Sequence, residues 1–290
     1  MRKKSLRWLG VGISSAASLL ASHSGHAKVA DLPKGNKKAT EGQWSLGGEV
    51  GWLPWLGEYQ KGMATPSKQY PWRYAIVTTT FWIGEKPTQN NPVPNHKSSW
   101  DQSWAQNYGG TDTPNRELRT ASYTPKAFTP RQNPFYIALP YNDMTTKGLK
   151  AEASQVIPWF SEAYKDNHKS VCKGRWIAIR YKGKVCYAQW EDAGPFRTDH
   201  WQYVFGDERP KPNLNKGAGL DVSPAVRDFL GMNDSDVTDW KFVEFEDVPT
   251  GPWATFGDNN TFVQQRRAQG NEAQVAELEG LKKAVGPEAR

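Results

Sequence analysis

The segment Val185-Cys186-Tyr187-Ala188-Gln189-Trp190-Glu191-Asp192-Ala193-Gly194-Pro195-Phe196 limits the fold more than any other part of the chain. It is answered downstream by Gly219-Leu220-Asp221-Val222-Ser223-Pro224-Ala225. In the first segment a half-buried, β-type run is stopped by Gly194-Pro195, which cannot continue a strand. In the second, Ser223 reads as a helix N-cap with Pro224 in the first helical position. Each segment therefore leaves a carboxylate, Asp192 or Asp221, where a strand runs out. Two acids at strand ends mark a candidate site.

The other strands follow from β-branched and aromatic density. Tyr74 to Ile83 is the first, stopped by Gly84, and Asn133 to Pro140 is the second, ending in Tyr141-Asn142-Asp143. Trp176 to Tyr181 and Lys184 to Trp190 flank a turn at Lys182-Gly183. Ala225 to Leu230 is a short helix closed by Gly231, and Val237 to Phe245 returns as a strand. Between the first two strands, Pro87, Pro92, Pro94 and Pro114 mark a long loop over one end of the fold. One short helix and no long crossover helices point to a mainly β chain closed into a small barrel, not a βαβ array.

The flanks read differently. Arg2, Lys3, Lys4 and Arg7 precede an apolar run from Leu9 to Leu20 and the small-residue sequence Gly25-His26-Ala27, the pattern of a cleaved export signal at 1–27. That run is shorter than the ~20 residues a membrane span needs. Removing the four basic residues of the leader takes the formal charge from +7 to +3, so basicity is a weak argument for a nucleic-acid partner. Residues 28–73 form an extension rich in Gly, Lys and Trp (Trp44, Trp52, Trp55, Trp72), and 74–253 hold the barrel domain. Residues 254–290 read as a polar tail, helical or disordered, with Val275, Leu278, Leu281 and Val285 at helical spacing and an interruption at Gly280. The expected product is exported, periplasmic or extracellular, with no membrane insertion after cleavage.

Two cysteines in an exported chain invite a disulfide. With the hairpin turning at Lys182-Gly183, Cys186 faces Ile179. A bond to Cys172 then needs a bend at Lys173-Gly174.

The two acid motifs together resemble rare lipoprotein A and, more loosely, expansins and family 45 endoglucanases: an acid before Gly-Pro-Phe, then an acid, a small hydrophobe and Ser at the head of a short helix. The resemblance covers roughly Tyr74 to Trp253 and is strongest from Trp176 onward. It implies the six-stranded double-psi β-barrel and a cell-wall or extracellular polysaccharide as partner. It makes Asp221 the counterpart of the proton donor of family 45 enzymes and Asp192 that of the acid contributing to the rare lipoprotein A site. Glycosidic cleavage needs such a donor because an alkoxide is a poor leaving group, and burial or a neighbouring carboxylate can keep a carboxyl protonated. The bland readings are a helix-start contact for Asp221 and a turn cap for Asp192.

One departure matters. Family 45 enzymes carry their base at the end of the first strand, where this chain has Ile83, with Glu85 two residues further on. The departure leaves two readings: lytic transglycosylase chemistry with one carboxyl acting as acid and then base, or expansin-like binding without cleavage. A secreted interaction scaffold is a third. Asp143 is a third candidate acid, with turn chemistry as its alternative. Trp82, Trp190 and Trp201 are the candidates for a sugar platform, Tyr141 can stack on or bond a sugar, and His200 is a candidate general acid or base. Core packing is the competing role for the tryptophans, simple exposure for His200. His96 and His168 have no metal-ligand spacing, and no cofactor motif is present. The expected geometry puts Asp192 and Asp221 at one end of the barrel with carboxylates within about 10 Å, a span suited to one glycosidic bond, and Asp143 in the same cleft.

Overall fold

A computed structural model of the chain describes residues 68–285 apart from 90 and 93. The expected leader and nearly all of the 28–73 extension, with Trp44, Trp52 and Trp55, lie outside the described residues.

Six strands close into a barrel. In chain order they are β1 (Arg73–Thr80), β2 (Tyr136–Leu139), β5 (Trp176–Tyr181), β6 (Lys184–Ala193), β7 (Leu220–Val222) and β8 (Ser235–Phe242). A separate two-stranded ribbon of β3 (Met144–Thr145) and β4 (Gly148–Leu149) follows β2. The order round the barrel is β1-β7-β2-β6-β5-β8, and β8 pairs back to β1. The barrel is mixed: β1 with β7 and β2 with β6 are parallel, and the other pairs antiparallel. Closure leaves no barrel strand with an unpaired edge.

The helices are few: α1 (Trp104–Tyr108), α2 (Ala153–Val156), α3 (Phe160–Ala163), α4 (Trp201–Val204), α5 (Pro224–Leu230) and α6 (Thr261–Val285). Helix α5 starts as its sequence dictates, with the Ser223 hydroxyl accepting from the Val226 amide and Pro224 in its first turn. It stops at Gly231, whose φ of 76° suits glycine. The β5–β6 hairpin turns at Lys182 and Gly183, both at positive φ (44° and 80°), the requirement of a type I′ turn.

Three expectations need correction. Strand β1 ends at Thr80, three residues early, because Phe81 and Ile83 leave the barrel to pack with Trp104, Tyr108, Tyr136 and Ala138 in a small second core. Helix α6 runs through Gly280 without interruption, since Ala, Gln, Glu and Lys neighbours are good helix formers and one glycine costs only about 1 kcal/mol. The disulfide does not form: Cys172 and Cys186 are both free and buried. The bend at Lys173-Gly174 is present, with Gly174 at φ 80°, but it hydrogen-bonds Gly174 and Arg175 to Trp190. That register carries Cys172 past a point four residues, about 13 Å, along β6 from Cys186, well beyond disulfide reach.

The two sides of β2 separate the interior from the site. Ile137 and Leu139 join Trp190, Leu220, Val222, Trp240 and Phe242 in the main core, while Tyr136 and Ala138 face the second core on the outer side. No helix among the described residues is long and apolar enough to cross a membrane.

Candidate functional site

Ala138 is the centre of the site. It pairs in register with Asp192 on β6 and with Asp221 on β7, and Asp221 pairs in turn with Thr79 on β1. Residues paired across strands point to the same face, so Thr79, Asp221, Ala138 and Asp192 form one row on the outer wall of the barrel. Two strand spacings separate the acids, about 10 Å at their Cα atoms. Ala138 has the small side chain that leaves room between them.

Simple alternation along β6 would not have put Asp192 there. Trp190 points into the barrel and is fully buried, so the second residue on would point inward too. The β2–β6 register skips Glu191: Ile137 pairs with Trp190, and Ala138 with Asp192. Glu191 is a β-bulge, and the extra residue rotates Asp192 onto the outer face. Glu191 itself is buried, and its Oε1 accepts from Asn259 Nδ2 at 3.0 Å. Burial pushes its carboxyl up to about 7.

The acids have different partners. Asp192 is buried, and its Oδ1 accepts the Ser99 and Ala193 amides, each at 2.7 Å. Burial raises its carboxyl to about 6, against the lowering effect of those two amides. Asp221 is partly open to the groove and accepts the Thr79 hydroxyl through Oδ1. Burial is the largest cause of its rise to about 7; the Thr79 bond opposes it, and the nearby charges of Glu85 and Asp192 add to it.

Glu85 arrives by a local device. Gly84 sits at φ 84°, and a Cβ there would come within 2.6 Å of Thr111, so only glycine makes this turn. The turn sets Glu85 in the wall beside Asp221, where Asn95 Nδ2 (2.9 Å) and Asn91 Nδ2 (3.1 Å) donate to its Oε2. Burial raises the Glu85 carboxyl and those amides moderate the rise.

Two recesses meet at Asp221. One, of about 500 Å³, runs over Asp192, Ala138 and Gly194 toward Ser99 and Lys97. The other, of about 370 Å³, runs past Thr79 and Glu85 toward Leu214 and Lys216. Phe81, Pro195 and Phe196 wall both. The result is a groove across the barrel wall with a carboxylate of raised pKa at its middle.

The remaining sequence candidates fall elsewhere. Asp143 is fully buried and lines neither recess; it accepts from Ser170 Oγ (2.7 Å), the Val171 amide (2.7 Å), the Cys172 amide (3.2 Å) and Trp100 Nε1 (3.2 Å). It is the anchor of the 170–172 turn. Trp190 is core, its Nε1 donating to the Asp192 carbonyl at 2.7 Å. Tyr141 is buried under Phe205, with Lys150 over its ring. His200 is buried and its Nε2 lies 3.0 Å from Glu208 Oε2. Trp201 packs against the core, and Trp82, although partly exposed, lines neither recess. The groove's aromatics are instead Phe81 and Phe196; Phe196 lies four residues after Asp192, and a choice confined to tryptophans passes over it. Thr79 was legible in hindsight, as the outward residue of an alternating strand. Among the described residues no group of three or more His, Cys, Asp or Glu side chains stands placed to hold a metal.

No family model matches the chain, and no curated protein matches it. Among solved structures it is similar to Streptomyces papain inhibitor, at 11% identity over 62% of this chain and all of that one, with a TM-score of 0.24.

Proposed function

We propose that the chain is an exported double-psi β-barrel protein that acts on a cell-wall or extracellular polysaccharide, with Asp221 as proton donor and Asp192 in support. One observation carries the reading. Asp221 and Asp192 flank Ala138 on one face of the barrel, in one groove open to solvent, and burial holds Asp221 near 7 so that it keeps its proton close to neutral pH. The closed mixed barrel, with an acid before Gly-Pro-Phe on one strand and an acid before a capped helix on another, supports the family resemblance.

In this reading a glycosidic oxygen lies over Ala138 and takes the Asp221 proton as its bond to C1 breaks. The Asp221 carboxylate then removes a proton from the hydroxyl that closes on C1, regenerating the acid. When that hydroxyl belongs to the same sugar the product has an anhydro end, and when it is water the product has a reducing end. Glu85, in the recess on the other side of Asp221, raises the donor's pKa through its charge. Asp192, tied to two amides, fixes the groove floor and adds negative potential for a developing oxocarbenium ion.

Purified protein incubated with peptidoglycan and with cellulose, and the products separated by mass, tests the reading. Anhydro-ended or reducing fragments that vanish in Asp221→Asn are expected. Retention by the polymer with no product from either substrate sinks the catalytic half and leaves a non-catalytic, expansin-like binding module.

A further inference from the structure

Phe196 follows the cis Gly194-Pro195 peptide at the end of β6, and the core does not hold it in place. Its φ is 58°, a region that a bulky side chain rarely enters. The Arg197 amide donates to the Pro195 carbonyl at 2.7 Å across it, closing a three-residue γ-turn with a positive-φ centre, the rarer and strained form. Glycine would take this conformation freely. Nor does burial compensate, because Phe196 is 39% exposed. An aromatic ring forced outward at backbone cost is the kind of feature that persists where function needs it.

Its position gives the need. Phe196 walls both recesses that meet at Asp221. Its amide and Asp221 Oδ2 both lie within about 4 Å of the point where a Gly194 Cβ would be, so the turn stands directly beside the acid. Leu214, 70% exposed, is a second apolar side chain lining the recess that holds Glu85 and Asp221. An aromatic face beside a polar floor of carboxylates, Asn91 and Asn95 matches a pyranose, which offers a flat C–H face on one side and hydroxyls round its edge. Phe81 cannot serve, being buried against Tyr136 and Trp104.

We infer that Phe196 is the sugar-stacking residue of this groove, with Leu214 extending the apolar face. The inference rests on the glycan reading above, and it moves the platform from the tryptophans to this one turn. Phe196 is a positioning residue: it holds the ring that carries the scissile bond against Asp221 and takes no proton.

The test uses the full exported chain carrying Asp221→Asn, so that bound polymer is not consumed, and measures co-sedimentation with peptidoglycan sacculi and with microcrystalline cellulose. Retention on at least one polymer is expected, weakened tenfold or more by Phe196→Gly, consistent with loss of one apolar ring face. Phe196→Trp should stay within about threefold of the parent. The thermal midpoint of Phe196→Gly should equal or exceed the parent's, because glycine relieves the turn. Undiminished retention by Phe196→Gly overturns the inference while leaving the glycan reading intact. Lost retention with a lowered midpoint and no rescue by Trp assigns the ring a structural role and overturns it as well. If the Asp221→Asn parent sediments with neither polymer, the glycan reading and the platform fall together.

Discussion

Replacing the central acid should make the protein more stable, and only above acidic pH. Folding carries the Asp221 carboxyl from 3.8 to about 7, chiefly by burial. A group raised in this way binds its proton more tightly in the folded state. Its contribution is fully present below about pH 4 and lost as pH rises through 7, because the folded state must then either keep a proton the unfolded state has released or carry a buried charge. A shift of about three units sets a ceiling of about 4 kcal/mol. Solvent reaching the groove side of the carboxyl lowers that to roughly 2 kcal/mol, as expected for an effective dielectric well above that of a dry interior. Asn removes the charge but keeps an oxygen able to accept the Thr79 hydroxyl. Urea unfolding of wild type and Asp221→Asn at pH 4, 6 and 8 checks this. The midpoints should coincide at pH 4 and separate by about 1 M in favour of the variant at pH 8, given a slope of roughly 2 kcal/mol/M. A gap that does not grow with pH, or a variant less stable at pH 8, refutes the claim that burial holds the Asp221 proton. The expected outcome, loss of activity with gain of stability, is the signature of a residue kept for chemistry.

Three further outcomes follow from the geometry. Glu85→Gln should lower the Asp221 pKa, since the charge that raises it is gone, and the alkaline limb of the pH–activity profile should move to lower pH; a limb that moves up or stays refutes the coupling. Asp143→Ala should strand the Val171 amide and the Ser170 hydroxyl, while the Cys172 amide keeps Ser170 Oγ and Trp100 Nε1 keeps Asn142 Oδ1, and should cost about 3 kcal/mol in chemical denaturation, with turnover per folded molecule unchanged; lost turnover at full stability would return Asp143 to the site. Cys172 and Cys186 should resist a thiol reagent in the native protein and both react in denaturant, and a reductant should leave the melting temperature unmoved; a single slow native thiol, or melting sensitive to reductant, contradicts the free, buried pair.

Local rules made much of the barrel legible. The Ser223-Pro224 start and Gly231 stop of α5, the Lys182-Gly183 hairpin and the opposition of Ile179 and Cys186 each depend on neighbours within a few residues, and each stands as the sequence implies. Long-range packing was not legible. Trp190, Tyr141 and His200 are near the acids in sequence but buried, because strand alternation and the α4 turn direct them into the core. The lack of a disulfide is likewise a matter of register, set by Gly174 and Arg175 bonding to Trp190, which no spacing count along one strand can supply.

The site itself depends on one residue that alternation alone would misassign. From Trp190 inward, an unbroken β6 turns Glu191 toward the outer wall and Asp192 into the barrel, where an ionisable group beside Trp190 and Phe242 would face an apolar interior. The bulge at Glu191 exchanges these roles. It leaves Glu191 buried against Asn259 and brings Asp192 level with Ala138 and Asp221. One residue later, after Ala193, Gly194 and Pro195 end the strand, so the groove opens beside the acid and not further along the barrel. The segment that most limits the fold thus also builds the site: its pattern ends the strand, and one unpaired residue within it decides which face the carboxylate takes.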